Sequence, residues 1–368
     1  MMIESMRIWA GLEDEIGEDV GFERGGCFIM AEIEKYLEET AEWLNVARDY
    51  QLDTRIVQGR ELDGLVEGAS KNWVGAMYTE SDGRAEPHKA APAIGRAAQC
   101  AGARIFTSCA VRGIERQAGR VSSVVTEHGT ILTSNVLCAA GAWTSMFCRS
   151  LGISLPQLKA RSTVARLGTG PHVLNGNAFD EKPGIRRRKD GGYTIAHGFQ
   201  QYHPITPSSF RFGLKFLPAW LMEFNKIRFS LGRDLIDELK TSSKWSLDLV
   251  SPFEKQRVLN PAPNLSELKK ARQAVDRFFP ALAGSAIVES WAGMVEVTPD
   301  VVPVMCESDL IPGFFIATGY SGHGFGIGPG AGKAAAGMLT NTETGIDLSE
   351  FNLKRFFDGS PINPHSSV

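Results

Sequence analysis

The stretch "GYSGHGFGIGPGAGK", residues 319–333, has the residue types for backbone chemistry. From Gly322 to Gly330 every second residue is glycine. "GFFIAT" ahead of it reads as a buried strand, and "KAAAGMLT" after it as a helix. Strand, glycine loop and helix start together offer free N–H groups and a positive dipole end to an anionic or electron-rich group. The standard phosphate cradles do not fit. A P-loop fails at Ile327, where a glycine is needed, and at Ala334, where Ser or Thr is needed. Residues 326–331 satisfy GxGxxG/A, but no apolar strand ending in an acid follows within about 20 residues. Two readings stay open: a tight turn packing helix on sheet, or a loop whose backbone approaches something flat and bulky.

Elsewhere, Pro87 is placed to open a helix running to about Cys100, and Gly102 to stop it. Strands follow in "ARIFTSCAV", in the "QAGR" hairpin of "GIERQAGRVSSVVTEHG", and in "TILTSNVLCAAGAW". The apolar run "VLCAA" fits a strand covered on both faces, as in a parallel sheet. Residues 2–16 and 31–50 carry helical stripes: Ile3, Met6, Trp9 and Leu12, then Ile33, Tyr36, Leu37, Trp43, Leu44 and Ala47. Residues 160–217 alternate strand-like segments ("STVARL", "YTIAHG", "SFRFGLKF") with turns, Asp190-Gly191 being a hairpin signal. The basic run Arg186-Arg187-Arg188-Lys189 reads as a solvated hairpin tip. Residues 225–280 hold two helical stretches around "NPAPN", and strands return in "AIVESWAGM".

The 368 residues have 43% hydrophobic and 22% charged content and a net charge of −3, ordinary for a globular protein and unsuited to nucleic acid or an anionic membrane surface. The six cysteines form no CxxC and no histidine pair has ligand spacing, so neither zinc nor another metal is expected. No run of 18 apolar residues predicts a transmembrane segment. A cytoplasmic location with reduced thiols follows by default.

Read in order, the motifs resemble the D-amino-acid oxidase superfamily, which includes glycine oxidase, sarcosine oxidase and D-amino-acid dehydrogenase. The residues that carry the resemblance are Trp291-Ala292-Gly293, Thr298-Pro299-Asp300, Pro303, Pro312-Gly313, Ala317, Gly319, Ser321-Gly322-His323-Gly324-Phe325 and Gly328-Pro329. "GRAEPHKAAPAIGRAAQCAGARI" and "TEHGTILTSNVLCAAGAWT" add to it, and it runs from about residue 5 to 340. The implied fold is α/β: a Rossmann-like FAD-binding domain (1–20, 81–150 and 300–368) interleaved with an antiparallel-sheet substrate domain (21–80 and 151–299).

The implied cofactor is FAD. Val111 would lie by the adenine, with Ala139, Ala140, Gly141 and Trp143 along the pyrophosphate and ribose side. Gly319, Tyr320, Ser321, Gly322, His323, Gly324, Phe325, Gly326 and Ile327 would wrap the flavin ring. Gly293 stands where sarcosine oxidases carry the cysteine that holds flavin, so attachment should be non-covalent. The implied activity is oxidation of a C–N bond of an amino acid or amine to an imine, with hydride passing to flavin. Val295 stands where glycine oxidase-like members carry the arginine that binds the substrate carboxylate.

Candidate substrate contacts are Tyr193 and His197, on one strand face, and Arg161 as a replacement carboxylate contact. Tyr193 and His197 read equally as sheet-surface polar residues. His323 is a candidate for flavin contact and for catalysis. The chain shows no strand followed by GxGxxG before residue 5, which implies an N-terminally incomplete cofactor domain. The alternative function is then a truncated, inactive product, or a subunit that needs a partner to complete the site. A homo-oligomer is the other expected assembly. A nicotinamide-dependent dehydrogenase needs the same missing fingerprint and leaves "SGHGF" unexplained.

Overall fold

The computed structural model describes residues 1–364 apart from 71–72, 199–200 and 225–226. The chain opens with helix α1 (Met2–Ile16), then β1 (Glu23–Arg24), β2 (Cys27–Ala31), α2 (Glu34–Ala41), α3 (Trp43–Asp49), β3 (Thr54–Val57), α4 (Gly59–Leu65), β4 (Gly75–Thr79), β5 (Gly83–Arg84) and α5 (Pro87–Cys100). Strands β6 (Val111–Gln117), β7 (Arg120–Thr126), β8 (Gly129–Leu132) and β9 (Val136–Cys138) follow, then α6 (Thr144–Ser150) and β10 (Leu158–Leu167). Next come β11 (Asn177–Phe179), β12 (Pro183–Arg187), β13 (Tyr193–His197), β14 (Gln201–Pro204), α7 (Pro207–Met222), β15 (Ile227–Ser230), α8 (Arg233–Lys240), α9 (Pro252–Lys255) and α10 (Leu265–Phe278). Strands β16 (Ile287–Val297), β17 (Val304–Glu307) and β18 (Phe314–Thr318) lead into α11 (Gly324–Thr340).

One large mixed sheet of ten strands runs β15-β14-β10-β13-β12-β11-β2-β4-β3, with β16 paired to β10. Helix α10 covers one face, and Phe28, Val57, Leu167, Ile185, Tyr193, Ile195, Val275 and Phe278 form the main core there. Three strands, β17-β18-β9, make a second sheet, and β6-β7-β8 a third. β9 and β18 run parallel, as the doubly covered apolar run implied, and so end side by side.

Several local expectations hold. α5 spans Pro87–Cys100 with proline in its first turn, and Gly102 follows at φ +98°. The "QAGR" turn has Ala118 and Gly119 at φ +51° and +83°, the hand a two-residue hairpin wants. Asp190-Gly191 joins β12 to β13, which pair antiparallel.

Others are corrected. "SFRFGLKF" is not a strand. Phe210, Phe212, Leu214 and Phe216 alternate, but Thr206 and Ser209 form a capping box ahead of them with Pro207 at the helix start. In the helix, Phe212 and Phe216 fall on the buried side, while Phe210 and Leu214 are exposed. "ARIFTSCAV" becomes strand only at Val111, and Ile105 and Phe106 are exposed. The helical stretch at 31–50 divides into two short helices, α2 and α3, with Ala31 ending β2, and Ile3 of the α1 stripe is exposed.

The basic run is not a solvated tip. Arg188 is buried, and Arg186 and Arg188 converge on buried Glu86 at 3.4 and 3.8 Å. Glu86 also accepts the Lys189 backbone N–H at 3.0 Å. A buried carboxylate needs such company, because an unpaired charge there costs several kcal/mol.

Candidate functional site

The parallel pairing of β9 with β18 sets two loops beside each other at the carboxyl ends of their strands, where open α/β sheets take ligands. One loop is Ala139-Ala140-Gly141 and the other is 319–323. Thr318 Oγ1 donates to the Gly141 carbonyl at 3.4 Å. Buried Gln157 locks the shelf from below. Its Nε2 donates to Thr318 Oγ1 at 2.8 Å, and its Oε1 accepts the Ser145 N–H at 3.0 Å.

The second loop owes its shape to left-handed backbone at Gly319, Ser321 and Gly322, with φ of +76°, +51° and +96°. A Cβ on Gly319 would lie 2.4 Å from Thr298 Cγ2, so glycine is needed there on two counts. Thr298 also donates its backbone N–H to Ser321 Oγ at 3.3 Å, and Ser321 Oγ donates to the Gly319 carbonyl at 3.0 Å. Asp300 is pinned by Arg355 Nε at 2.6 Å and accepts the Val302 N–H at 3.1 Å. The Thr298-Pro299-Asp300 and Gly319–Gly322 motifs are thus one interlocked unit.

Helix α11 begins at Gly324, well before the expected start at "KAAAGMLT". The glycines therefore lie mostly inside a helix, and they divide by function. Gly330 lets α1 approach: a Cβ there would sit 2.6 Å from Ser5 Oγ. Trp9 Nε1 donates to the Gly326 carbonyl at 2.9 Å, and the Trp9 and Phe325 rings lie 5.3 Å apart. Gly322 and Gly328 have nothing within 4 Å of an added Cβ. Part of the glycine density is helix packing, and part leaves open surface at the helix start.

Glu296, near the end of β16, completes the shelf. Its Oε2 lies 3.9 Å from the place a Cβ on Gly141 would take, and the Tyr320 backbone amide favours its charged form. Burial raises the carboxyl above its ordinary value. Burial and the neighbouring Glu296 push the Tyr320 phenol up to about 12.

The shelf gathers Ala139, Ala140, Gly141 and 319–324, with His323 exposed at the N-cap of α11. Trp143 is half-buried in the 3-10 turn Gly141–Trp143. Val111 opens β6 and is exposed, and Gly293 lies mid-strand opposite Ser162. The remaining candidates go elsewhere. Tyr193 is fully buried. Its hydroxyl donates to the Pro171 carbonyl at 2.7 Å and accepts the Val173 N–H at 3.0 Å, so it braces a turn. His197 lies under α10, with Nδ1 2.9 Å from Glu267 Oε2, and burial lowers its pKa despite that carboxylate. Arg161 pairs with Met294, while Val295 pairs with Ala160. Because faces alternate, Arg161 leaves the sheet on the side opposite Val295 and does not replace an arginine there.

Against known proteins, the family model described as FAD dependent oxidoreductase (DAO) matches residues 1–338. The chain belongs to the FAD-dependent oxidoreductase family. Mouse mitochondrial sarcosine dehydrogenase is 24% identical over 352 residues, covering 94% of this chain and 34% of that protein. Sarcosine oxidase subunit beta from an Arthrobacter species is 21% identical over 378 residues, covering 99% and 78%. The chain thus spans about a third of the length of the mammalian sarcosine dehydrogenases it matches.

Among solved family structures, L-amino acid deaminase from Proteus vulgaris superposes with a TM-score of 0.90 at 30% identity, covering 95% of this chain and 83% of that one. The Proteus myxofaciens L-amino acid deaminase, solved with anthranilate, gives 0.90 at 33% identity over 96% and 80%. Glycine oxidase from Geobacillus kaustophilus shares the fold at 0.75 and 18% identity, over 95% and 82%. FAD is the cofactor this family uses, and the mixed α/β architecture is the family's.

Sequence reasoning missed Glu296, Gln157 and Ser5. Each is a single polar residue inside a strand, loop or helix. Only burial singles them out, and no spacing rule does.

Proposed function

We propose that this chain oxidises a C–N bond of an amino acid or small amine to an imine, using non-covalently held FAD. The observation that carries the reading is the shelf at the ends of β9 and β18. Small residues and left-handed backbone keep it open, and the α11 start faces it. Those features fit the ring end of the cofactor: Ala139–Gly141 on one side, Gly319–Phe325 on the other. When bound, FAD accepts the hydride from the carbon next to nitrogen.

The chain's part is positioning. The amides at the α11 start suit negative charge that develops at a ring edge. Glu296, whose carboxyl burial shifts towards the protonated form, stands next to Gly141. His323 borders the shelf from the N-cap. Gly293 leaves no sulfur for covalent attachment. The substrate nitrogen must be neutral for hydride loss, and the oxidised product then gains water and releases ammonia or an amine.

The experiment is anaerobic mixing of the FAD-loaded protein with a panel of amino acids and secondary amines. Bleaching of the flavin band by at least one member, with stoichiometric imine-derived carbonyl product, is expected. Failure of every member to bleach a protein that retains FAD would overturn the reading.

A further inference from the structure

Strand β6 lies at the end of its sheet, in the order β6-β7-β8. The Ala110 carbonyl accepts the Glu127 N–H from the β7 side at 3.0 Å. A planar trans peptide sends its N–H the opposite way, so the Val111 N–H points off the outer edge of β6. One residue on, the pairing shifts register between Val111 and Gly113, which leaves Arg112 as the extra residue of a β-bulge. An edge amide between a loop and a bulge gets little of its direction from the ladder.

Both neighbours of Val111 are instead held from outside the sheet, by residues 245–257 between α8 and α10. On one side, Arg257 donates from Nη1 and Nη2 to the two carboxylate oxygens of Glu127, at 2.6 Å each. The same carboxylate accepts the Ala110 N–H at 2.7 Å, so Glu127 holds Ala110 by its N–H and by its carbonyl. On the other side, Glu254 accepts from Nε and Nη2 of Arg112 at 2.9 and 3.0 Å, and Trp245 Nε1 donates to the Arg112 carbonyl at 2.7 Å.

The segment is itself anchored. A Cβ on Gly113 would lie 2.6 Å from Leu247 Cδ2, so glycine there lets Leu247 close onto β6. Phe253 packs on Phe147, with ring centroids 5.9 Å apart, against the core beneath β9, β17 and β18. The Arg257 guanidinium and the Ala110 amide lower the Glu127 carboxyl to about 2, so it is ionised at neutral pH. Single exposed ion pairs add little stability. Here two bidentate pairs, closed over 130 and 142 positions of chain, flank one edge residue, and their planar forks fix direction as well as distance.

We propose that Arg257 and Glu254 are positioning residues for the adenosine end of FAD. They act through Glu127 and Arg112 to fix the backbone edge at Val111 before the cofactor arrives. The proposal rests on the cofactor of the function proposed above and on Val111 lying by the adenine. An edge already in place spares the ligand the cost of ordering it. The effect therefore falls on ligands that carry adenosine and passes over those that do not.

The probes are FAD, ADP and FMN, titrated calorimetrically into the full chain after its flavin is removed. Arg257→Met keeps the apolar stem and loses the fork. It should weaken FAD and ADP about three- to tenfold, the cost of an edge left to be ordered on binding, and leave FMN within about twofold. Arg257→Lys, which keeps the charge without the fork, should fall between Arg257→Met and wild type. Glu127→Gln should weaken FAD and ADP as Arg257→Met does, and combining the two should add nothing, because Arg257 acts through that carboxylate. FAD and FMN weakened alike would make residues 245–257 a general staple of the fold, and additive losses would mean that Arg257 acts by another route. Either result overturns the proposal, as does wild type that fails to bind ADP at millimolar concentration. Bleaching of the bound flavin by an amine, with ADP ignoring Arg257, would sink this positioning role and leave the proposed function standing. Loss of ADP affinity in Arg257→Met with no bleaching by any amine would do the reverse.

Discussion

Ser5 and Gly330, 325 positions apart, share a hydrogen bond at the crossing of the first and last long helices. The Gly330 N–H donates to Ser5 Oγ at 2.9 Å, and Ser5 Oγ donates to the Ile327 carbonyl at 2.8 Å. Ser5 has no exposure to solvent. The contact ties α1 to α11, the helix whose start borders the shelf proposed for the cofactor.

Gly330→Ala should therefore destabilise the fold. The new Cβ would lie 2.6 Å from Ser5 Oγ and 2.9 Å from the Met1 carbonyl oxygen, and relieving such overpacking costs about 1–3 kcal/mol. Gly332→Ala, with nothing within 4 Å, should be neutral or slightly stabilising, since alanine is the better helix former. Thermal denaturation of the two variants checks this. Equal Tm values would mean α1 does not hold α11 in this way.

Gly319→Ala should disturb the shelf itself. It forces a side chain into left-handed backbone, worth about 1–2 kcal/mol, and against Thr298 Cγ2. Thr298→Ser removes that methyl and keeps the hydroxyl that bonds the Val302 carbonyl at 2.8 Å. The double variant should recover part of the lost Tm and of the FAD absorbance, leaving the backbone cost. No recovery would show that the Thr298 contact is not what excludes a side chain.

Much of this fold was legible because its signals are local. Pro87 and Gly102 bound a helix through their own backbone preferences, and Asp190-Gly191 sets a hairpin within four residues. The apolar run ending at Cys138 announced a covered parallel strand. The failures have the opposite character. Phe210 to Phe216 alternate like a strand, and only the Thr206 cap and the apolar face of β10 and β16 that Phe212 and Phe216 pack on decide for a helix. Arg186 and Arg188 look solvated until Glu86, about a hundred residues earlier, is brought to them by the sheet. Tyr193 and His197 do share a face, but the sequence does not say that α10 covers it. Of the shelf, the glycine and TPD motifs were readable, while Glu296 and Gln157 acquire meaning only from burial.

Glu86 offers a sharp test of the buried basic cluster. Glu86→Ala would leave Arg186 and Arg188 without their shared carboxylate, with Arg188 inside the protein. Removing one partner of a buried pair costs about 3 kcal/mol or more. Denaturant unfolding should show a loss of this order, shrinking little at high salt because the cluster is shielded from screening. A loss under ~0.5 kcal/mol, or one abolished by salt, would return these arginines to a solvated surface role.

Glu296 should make stability depend on pH in a direction opposite to that of an ordinary paired carboxylate. Burial raises its folded pKa above the unfolded value, so folding takes up a proton between the two. The stabilisation is full below the unfolded value and is lost as pH rises through the folded one. Glu296→Gln keeps the neutral shape, but has no charge to bury. The variant and the wild type should therefore have matching Tm near pH 4, with the variant the more stable by pH 8. The same substitution should leave flavin absorbance at low pH unchanged while removing any perturbation of it that appears in wild type as Glu296 ionises. A Tm difference constant from pH 4 to 8 would show that the carboxyl does not titrate in this range, and that Glu296 does not act at the shelf through its protonation state.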